Sequence, residues 1–217
     1  TTYPEPSQRS MADIDLLLPG AELDRASAAL RKLGFWTDQT RPQAGHHLPL
    51  HYAPKGQIGV ELHCHVLPAP NPYVLDLEQL WLRAQSVEIA GVEAWALAPT
   101  DALHLACVHL AYAHRYRRFP LRSLTDILAI TTRQGARLDW DLFLRTVREA
   151  RTAGAVYWPL QLSRSWLNAP IPNPVLSALT PPALIRKLVS AVVEPRYLLD
   201  AQAPPEQPRP PTPPTAG

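Results

Sequence analysis

The sequence is poor in cysteine: Cys64 and Cys107 are the only two among 217 residues. Two thiols exclude a disulfide framework and any four-cysteine zinc or iron–sulfur centre. A surplus of one charge is missing as well, because 21 basic side chains face 19 acidic ones for a net charge of +2. Binding along a nucleic acid takes many phosphate contacts and a basic surface, so this balance argues against a long nucleic acid as partner. The apolar runs are too short or too interrupted to cross a bilayer, and no stretch resembles a secretory signal. These absences predict a soluble chain in a reducing, cytoplasmic setting.

What is present describes a folding chain. Hydrophobic residues make up 46% and charged residues 18%, enough to bury a core without a metal or disulfide staple. The 25 prolines are unevenly placed. Residues 201–217 read AQAPPEQPRPPTPPTAG, with almost nothing to bury, and are expected to form a disordered or polyproline tail. The chain opens TTYPEPSQRS and runs straight into an apolar strand.

That strand spans residues 11–18, where Ile14 and Leu16 alternate with Asp13 and Asp15. Pro19-Gly20 ends it, and residues 21–33 follow as an amphipathic helix with Leu23, Ala26, Leu30 and Leu33 on its apolar stripe. Gly34 stops the helix, and residues 35–40 are a candidate short strand. Residues 46–52 and 57–66 read as an antiparallel pair turned at Pro54-Lys55-Gly56. In the second strand Ile58, Val60, Leu62, Cys64 and Val66 share an apolar face, while Gly59, Glu61, His63 and His65 share the polar one. Beyond it the pattern turns helical: residues 77–83, 102–115, 121–134, 139–152, 156–167 and 182–193, with an extended pair around Gly91. The layout predicts an α/β (α+β) fold with a small mixed sheet followed by a helical bundle. The expected domains are a sheet subdomain over 1–75, a helical subdomain over 76–200 and the tail over 201–217.

Asp13 and Asp15 leave the same face of one strand, a pleat apart. Two carboxylates about 5 Å apart repel by about 3 kcal/mol at an effective dielectric near 20. Such a pair on an otherwise apolar strand calls for a cation: a hard divalent ion, magnesium or manganese, or a neighbouring guanidinium from Arg9 or Arg41. Glu61 is a third carboxylate on a neighbouring strand. Three carboxylates on adjacent strands can hold the two ions used for nucleotidyl transfer.

The segment YPEPSQRSMADIDLLLPGAELDRASAALRKLGF resembles the core of the uncharacterised nucleotidyltransferase family within the DNA-polymerase-beta-like superfamily. The matching pieces are Arg9, the Asp-x-Asp strand, and Leu33-Gly34-Phe35 after the helix. The likeness continues at VELHCHV, APTDALHLACVHLAYAH, LRSLTDILAI and LDWDLFLRTVREA. The resemblance implies metal-dependent transfer of a nucleoside monophosphate from a nucleoside triphosphate to a hydroxyl-bearing acceptor, a small molecule or a protein. It implies that Asp13, Asp15 and Glu61 are the catalytic and metal-binding residues. The family also carries a glycine turn just before the Asp-x-Asp strand, whose amides hold phosphate, and residues 1–10 contain no glycine. The chain therefore reads either as trimmed there or as a non-catalytic scaffold that binds a nucleotide or a partner. A glycosyltransferase, which also uses Asp-x-Asp, needs a larger domain than these elements supply.

All eight histidines lie between His46 and His114. His63 and His65 share a face with Glu61, which leaves open a zinc site, a phosphate contact or a carboxylate-orienting role. Arg9, His63, Arg117 and Arg118 are the candidate contacts to nucleotide or acceptor, the last two within the basic HRYRR cluster. His109 is expected to be a buried packing histidine, and Trp81, Trp95, Trp140, Trp158 and Trp166 are expected to pack between helices.

Overall fold

The computed structural model describes residues 3, 5, 9, 11, 13–37, 47–54, 59–116 and 120–192. The expected tail, His46, Arg41, most of the Pro54-Lys55-Gly56 turn and the first residues of the 57–66 strand lie outside the described residues. The chain divides into two compact units, one ending at Asn71 and the other beginning at Pro72 and including Tyr3. The architecture is mixed, a small sheet followed by helices.

The first unit holds a four-stranded sheet in the order β1 (Asp13–Leu17), β4 (Gly59–His63), β3 (His51–Tyr52), β2 (Trp36–Thr37). β1 runs parallel to β4, and the other two pairings are antiparallel. Residues 46–52 are extended for less of their length than expected. Only His51–Tyr52 form a strand, with one isolated bridge from His47 to His63. Helix α1 (Leu23–Lys32) follows a short 3-10 turn at Gly20–Glu22, and its acidic start and basic end suit the helix dipole.

One sheet face is the core of this unit. Val60 and Leu62 are buried there, paired with Ile14 and Leu16 on one side, and Val60 with His51 on the other. Helix α1 packs on β4. It is pinned by Ser27, whose hydroxyl lies 2.8 Å from His51 Nε2 and accepts from Arg31 Nη2 at 3.2 Å. The Ser27 hydroxyl is thus shared between the imidazole and the guanidinium. Burial, then the Arg31 charge, holds the His51 pKa below its usual value and keeps the ring neutral. β1 departs from expectation. Among the described residues it is an edge strand, and Ile14 and Leu16 are 40% and 43% exposed, because a strand with one neighbour receives half the cover of an interior one.

The second unit begins with α2 (Leu77–Arg83), capped by the Asp76 carboxylate on the Gln79 amide. A hairpin of β5 (Gln85–Ile89) and β6 (Val92–Ala96) follows, turning through Ala90 and Gly91 with positive φ. Helix α3 (Pro99–Val108) is central, in contact with α4 (Pro120–Arg133), α5 (Trp140–Glu149) and α6 (Ala153–Leu167). Leu103, Cys107, Val108, Leu124, Ile127, Phe143, Val147, Val156 and Leu160 are its buried core. The expected helix 102–115 ends as an α-helix at Val108 and continues as a π turn over His109–Ala113. Helix α7 (Asn173–Leu179) was not expected from the sequence, and α8 (Ala183–Val192) was. Among the described residues no helix is long and apolar enough to cross a membrane.

Two packing expectations are corrected. His109 is exposed, whereas His104 is the buried histidine, bonded to Thr152 Oγ1 at 2.7 Å. A turn of α3 separates them, and it is the earlier one that faces α5 and α6. Trp81 and Trp95 are exposed, on a two-turn helix and a two-stranded ribbon that offer one covered face at most. The Pro-Thr-Asp start of α3 does more than begin a helix. Asp101 is fully buried and takes both Nε and Nη2 of Arg83 at 2.8 Å. A buried carboxylate needs such a partner, and removing it leaves the other charge uncompensated. Asp101→Asn is therefore expected to lower the unfolding free energy of this unit by about 3 kcal/mol. Urea denaturation checks this, and a loss under about 1 kcal/mol would show the pair to be a solvent-screened surface bridge.

Candidate functional site

The polar face of the first unit is built by register. Across the parallel β1–β4 pair, Asp13 stands opposite Gly59, Asp15 opposite Glu61 and Leu17 opposite His63. Side chains two apart on a strand share a face, so Asp15, Glu61 and His63 emerge together, away from the Val60–Leu62 core. Gly59 beside them leaves room for Leu50: a Cβ there would lie 2.5 Å from Leu50 Cδ1 and 3.0 Å from Leu50 Cγ, so that side chain would have to shift. Further along the same face Trp36 stacks on Tyr52 with ring centroids 4.8 Å apart.

Asp15, Glu61 and His63 each place one ligating atom within 4.8 Å of the others. His63 Nε2 lies 3.2 Å from Glu61 Oε2 and 3.3 Å from Asp15 Oδ1. The histidine side chain is 16% exposed and Glu61 25%, while Asp15 is 61% exposed, so the group opens to solvent on the β1 side. Behind His63 the His47 ring packs at a centroid distance of 5.0 Å. His47 Nδ1 donates to the Leu48 carbonyl at 2.7 Å, which fixes its ring.

The electrostatics follow from these distances. Burial works against a charged His63, but hydrogen bonds to Asp15 and then Glu61, with the charges of both acids, outweigh it and raise its pKa to about 9. At neutral pH an imidazolium thus lies beside the two carboxylates. Of the two guanidinium groups considered as neighbours of the acids, that of Arg41 lies outside the described residues.

The same donors fit a divalent ion. Two carboxylate oxygens and an imidazole nitrogen are hard-to-borderline ligands. Adjacent ligands around an ion with bonds of about 2.1 Å lie roughly 3 Å apart, close to the separations seen here.

Asp15 and Glu61 are thus brought together as expected for neighbouring strands. Asp13 lies one pleat back on the same face, outside the group of three. Arg9 is partly buried. Arg117 and Arg118 lie outside the described residues. His65 is exposed and does not join the group, because the strand ends at His63 and alternation ends with it. His47 was not singled out as a site residue; its signal is the bridge that sets it opposite His63.

The profile of the uncharacterised nucleotidyltransferase family matches residues 1–168. The chain belongs to this family. Its members' general role is nucleotidyl transfer, which implies a nucleoside triphosphate substrate. No curated protein and no solved structure matches the chain.

The raised His63 pKa makes a signed prediction. A group whose folded pKa lies above its unfolded value of 6.5 stabilises the fold fully below that pH and ceases to do so as pH rises through about 9. Without added metal, the melting temperature of the protein is expected to fall between these limits more steeply than that of His63→Gln. Parallel profiles for the two proteins would remove the imidazolium from the site.

Proposed function

We propose that the protein moves a nucleoside monophosphate from a nucleoside triphosphate to a hydroxyl-bearing acceptor, using a divalent ion, magnesium or manganese, held by Asp15 and Glu61. The observation that carries this reading is the in-register meeting of Asp15 and Glu61 across β1 and β4 in a chain of this family. Like charges so close are costly to hold together unless their function is to receive positive charge. When bound, the ion would neutralise charge developing around the α-phosphate and the departing pyrophosphate.

The chain's own residues do the rest. Asp13, on the same face, extends the acidic surface for a second ion, as the resemblance implies. Glu61 accepts the proton of the attacking hydroxyl. The hydroxyl oxygen bonds to the α-phosphorus, the bond from that phosphorus to the bridging oxygen breaks, and pyrophosphate leaves with the electron pair. The exposed side of Asp15 faces solvent, where substrate enters, and Arg9 supplies positive charge to the triphosphate. A small molecule or a protein side chain is the acceptor class proposed, in a cytoplasmic setting where nucleoside triphosphates are available.

One observation favours a second reading, a scaffold that binds nucleotide without turnover. His63 already balances the two acids, so the carboxylate pair can persist without an ion.

Pyrophosphate release from a nucleoside triphosphate, measured with magnesium or manganese and with chelator, separates these readings. The enzyme reading expects ion-dependent release that drops at least about 100-fold in Asp15→Asn and in Glu61→Gln. Saturable nucleotide binding with no release above the blank supports the scaffold. Release that is indifferent to chelator and to both substitutions overturns the assignment of the site.

A further inference from the structure

We propose that His63 is itself an ion ligand, so that the site prefers divalent transition ions that accept an imidazole nitrogen over magnesium and calcium. This inference rests on the metal reading above and sharpens it.

The geometry carries it. His63 is not a neighbour turned toward a passing substrate; its Nε2 is aimed between the two carboxylates, 3.2 Å from Glu61 and 3.3 Å from Asp15. An ion coordinated by both acids therefore lies within reach of that nitrogen. The ring is also held in place. It is mostly buried, it sits on the final residue of β4, whose carbonyl accepts from the Leu18 amide at 2.8 Å, and the His47 ring backs it. His47 is itself fixed by its bond to the Leu48 carbonyl, so turning His63 away from the acids must disturb a packed pair.

The consequence is selectivity. Magnesium and calcium take oxygen ligands almost exclusively, and exchanging an oxygen for an imidazole nitrogen gains them little. Divalent transition ions bind mixed nitrogen and oxygen donors more strongly along the first-row series. Two carboxylates and one imidazole thus discriminate where three carboxylates would not.

Manganese(II), which is paramagnetic, is the probe. Pulsed paramagnetic resonance of the manganese-loaded full chain is expected to show nitrogen-14 modulation. The modulation should persist in His47→Gln and vanish in His63→Gln. In competition titrations, His63→Asp, which places an oxygen donor at this position, should lower the ratio of cobalt(II) to magnesium affinity at least about tenfold.

Absence of nitrogen modulation in the unaltered protein, or modulation that survives His63→Gln, overturns this inference while leaving an ion on Asp15 and Glu61. An unchanged affinity ratio in a folded His63→Asp protein does the same. If that variant does not fold, the spectra of the unaltered protein and of His47→Gln decide the question. Failure of the unaltered protein to bind manganese at all overturns both this inference and the metal reading beneath it.

Discussion

Two carboxylates facing each other across a parallel strand pair are the constraint on which the site depends. Asp15 and Glu61 stand in register on β1 and β4, so the pairing of the strands keeps them neighbours. Their repulsion has to be met by positive charge. The fold supplies a provisional answer in His63, two residues along β4 and close to both acids. The same nitrogen that carries this proton is the one an incoming ion would meet. On the proposed metal reading, proton and ion compete for one place.

The register behind this arrangement is enforced from the opposite face. Val60 and Leu62 are buried against helix α1, so a slip of β4 by one residue would expose them and bury Glu61 and His63. The hydrophobic cost of such a slip is several kcal/mol, given about 1.5–3 kcal/mol for each large apolar side chain. Ser27, His51 and Arg31 then fix the helix to the sheet through a short polar chain. The acids are aligned by burial elsewhere, which lets the acidic face stay open to solvent and available for chemistry.

Much of this was legible in the residues because strands and helices advertise their periods. The alternation of Ile14 and Leu16 with Asp13 and Asp15, and of Val60 and Leu62 with Glu61 and His63, assigned faces correctly. Asp139 announced the start of α5, and its carboxylate caps the Leu142 amide. Other features were hidden because they depend on what lies opposite. Nothing local reveals that β1 is an edge strand, that His104 rather than His109 is buried, or that Trp81 and Trp95 are left in solvent. Helix α7 is only seven residues long, too brief for periodicity to stand out.

By itself the sequence determined the order of most elements, the polar and apolar faces of the central strands, and the family to which the chain belongs, since each is written in local patterns of residue type. Only the tertiary structure decided which acids meet. Strand pairing set Asp15, not Asp13, opposite Glu61 and brought His63 between them. Register across two strands distant in sequence is fixed by the burial of the whole sheet, and no window of neighbouring residues contains it.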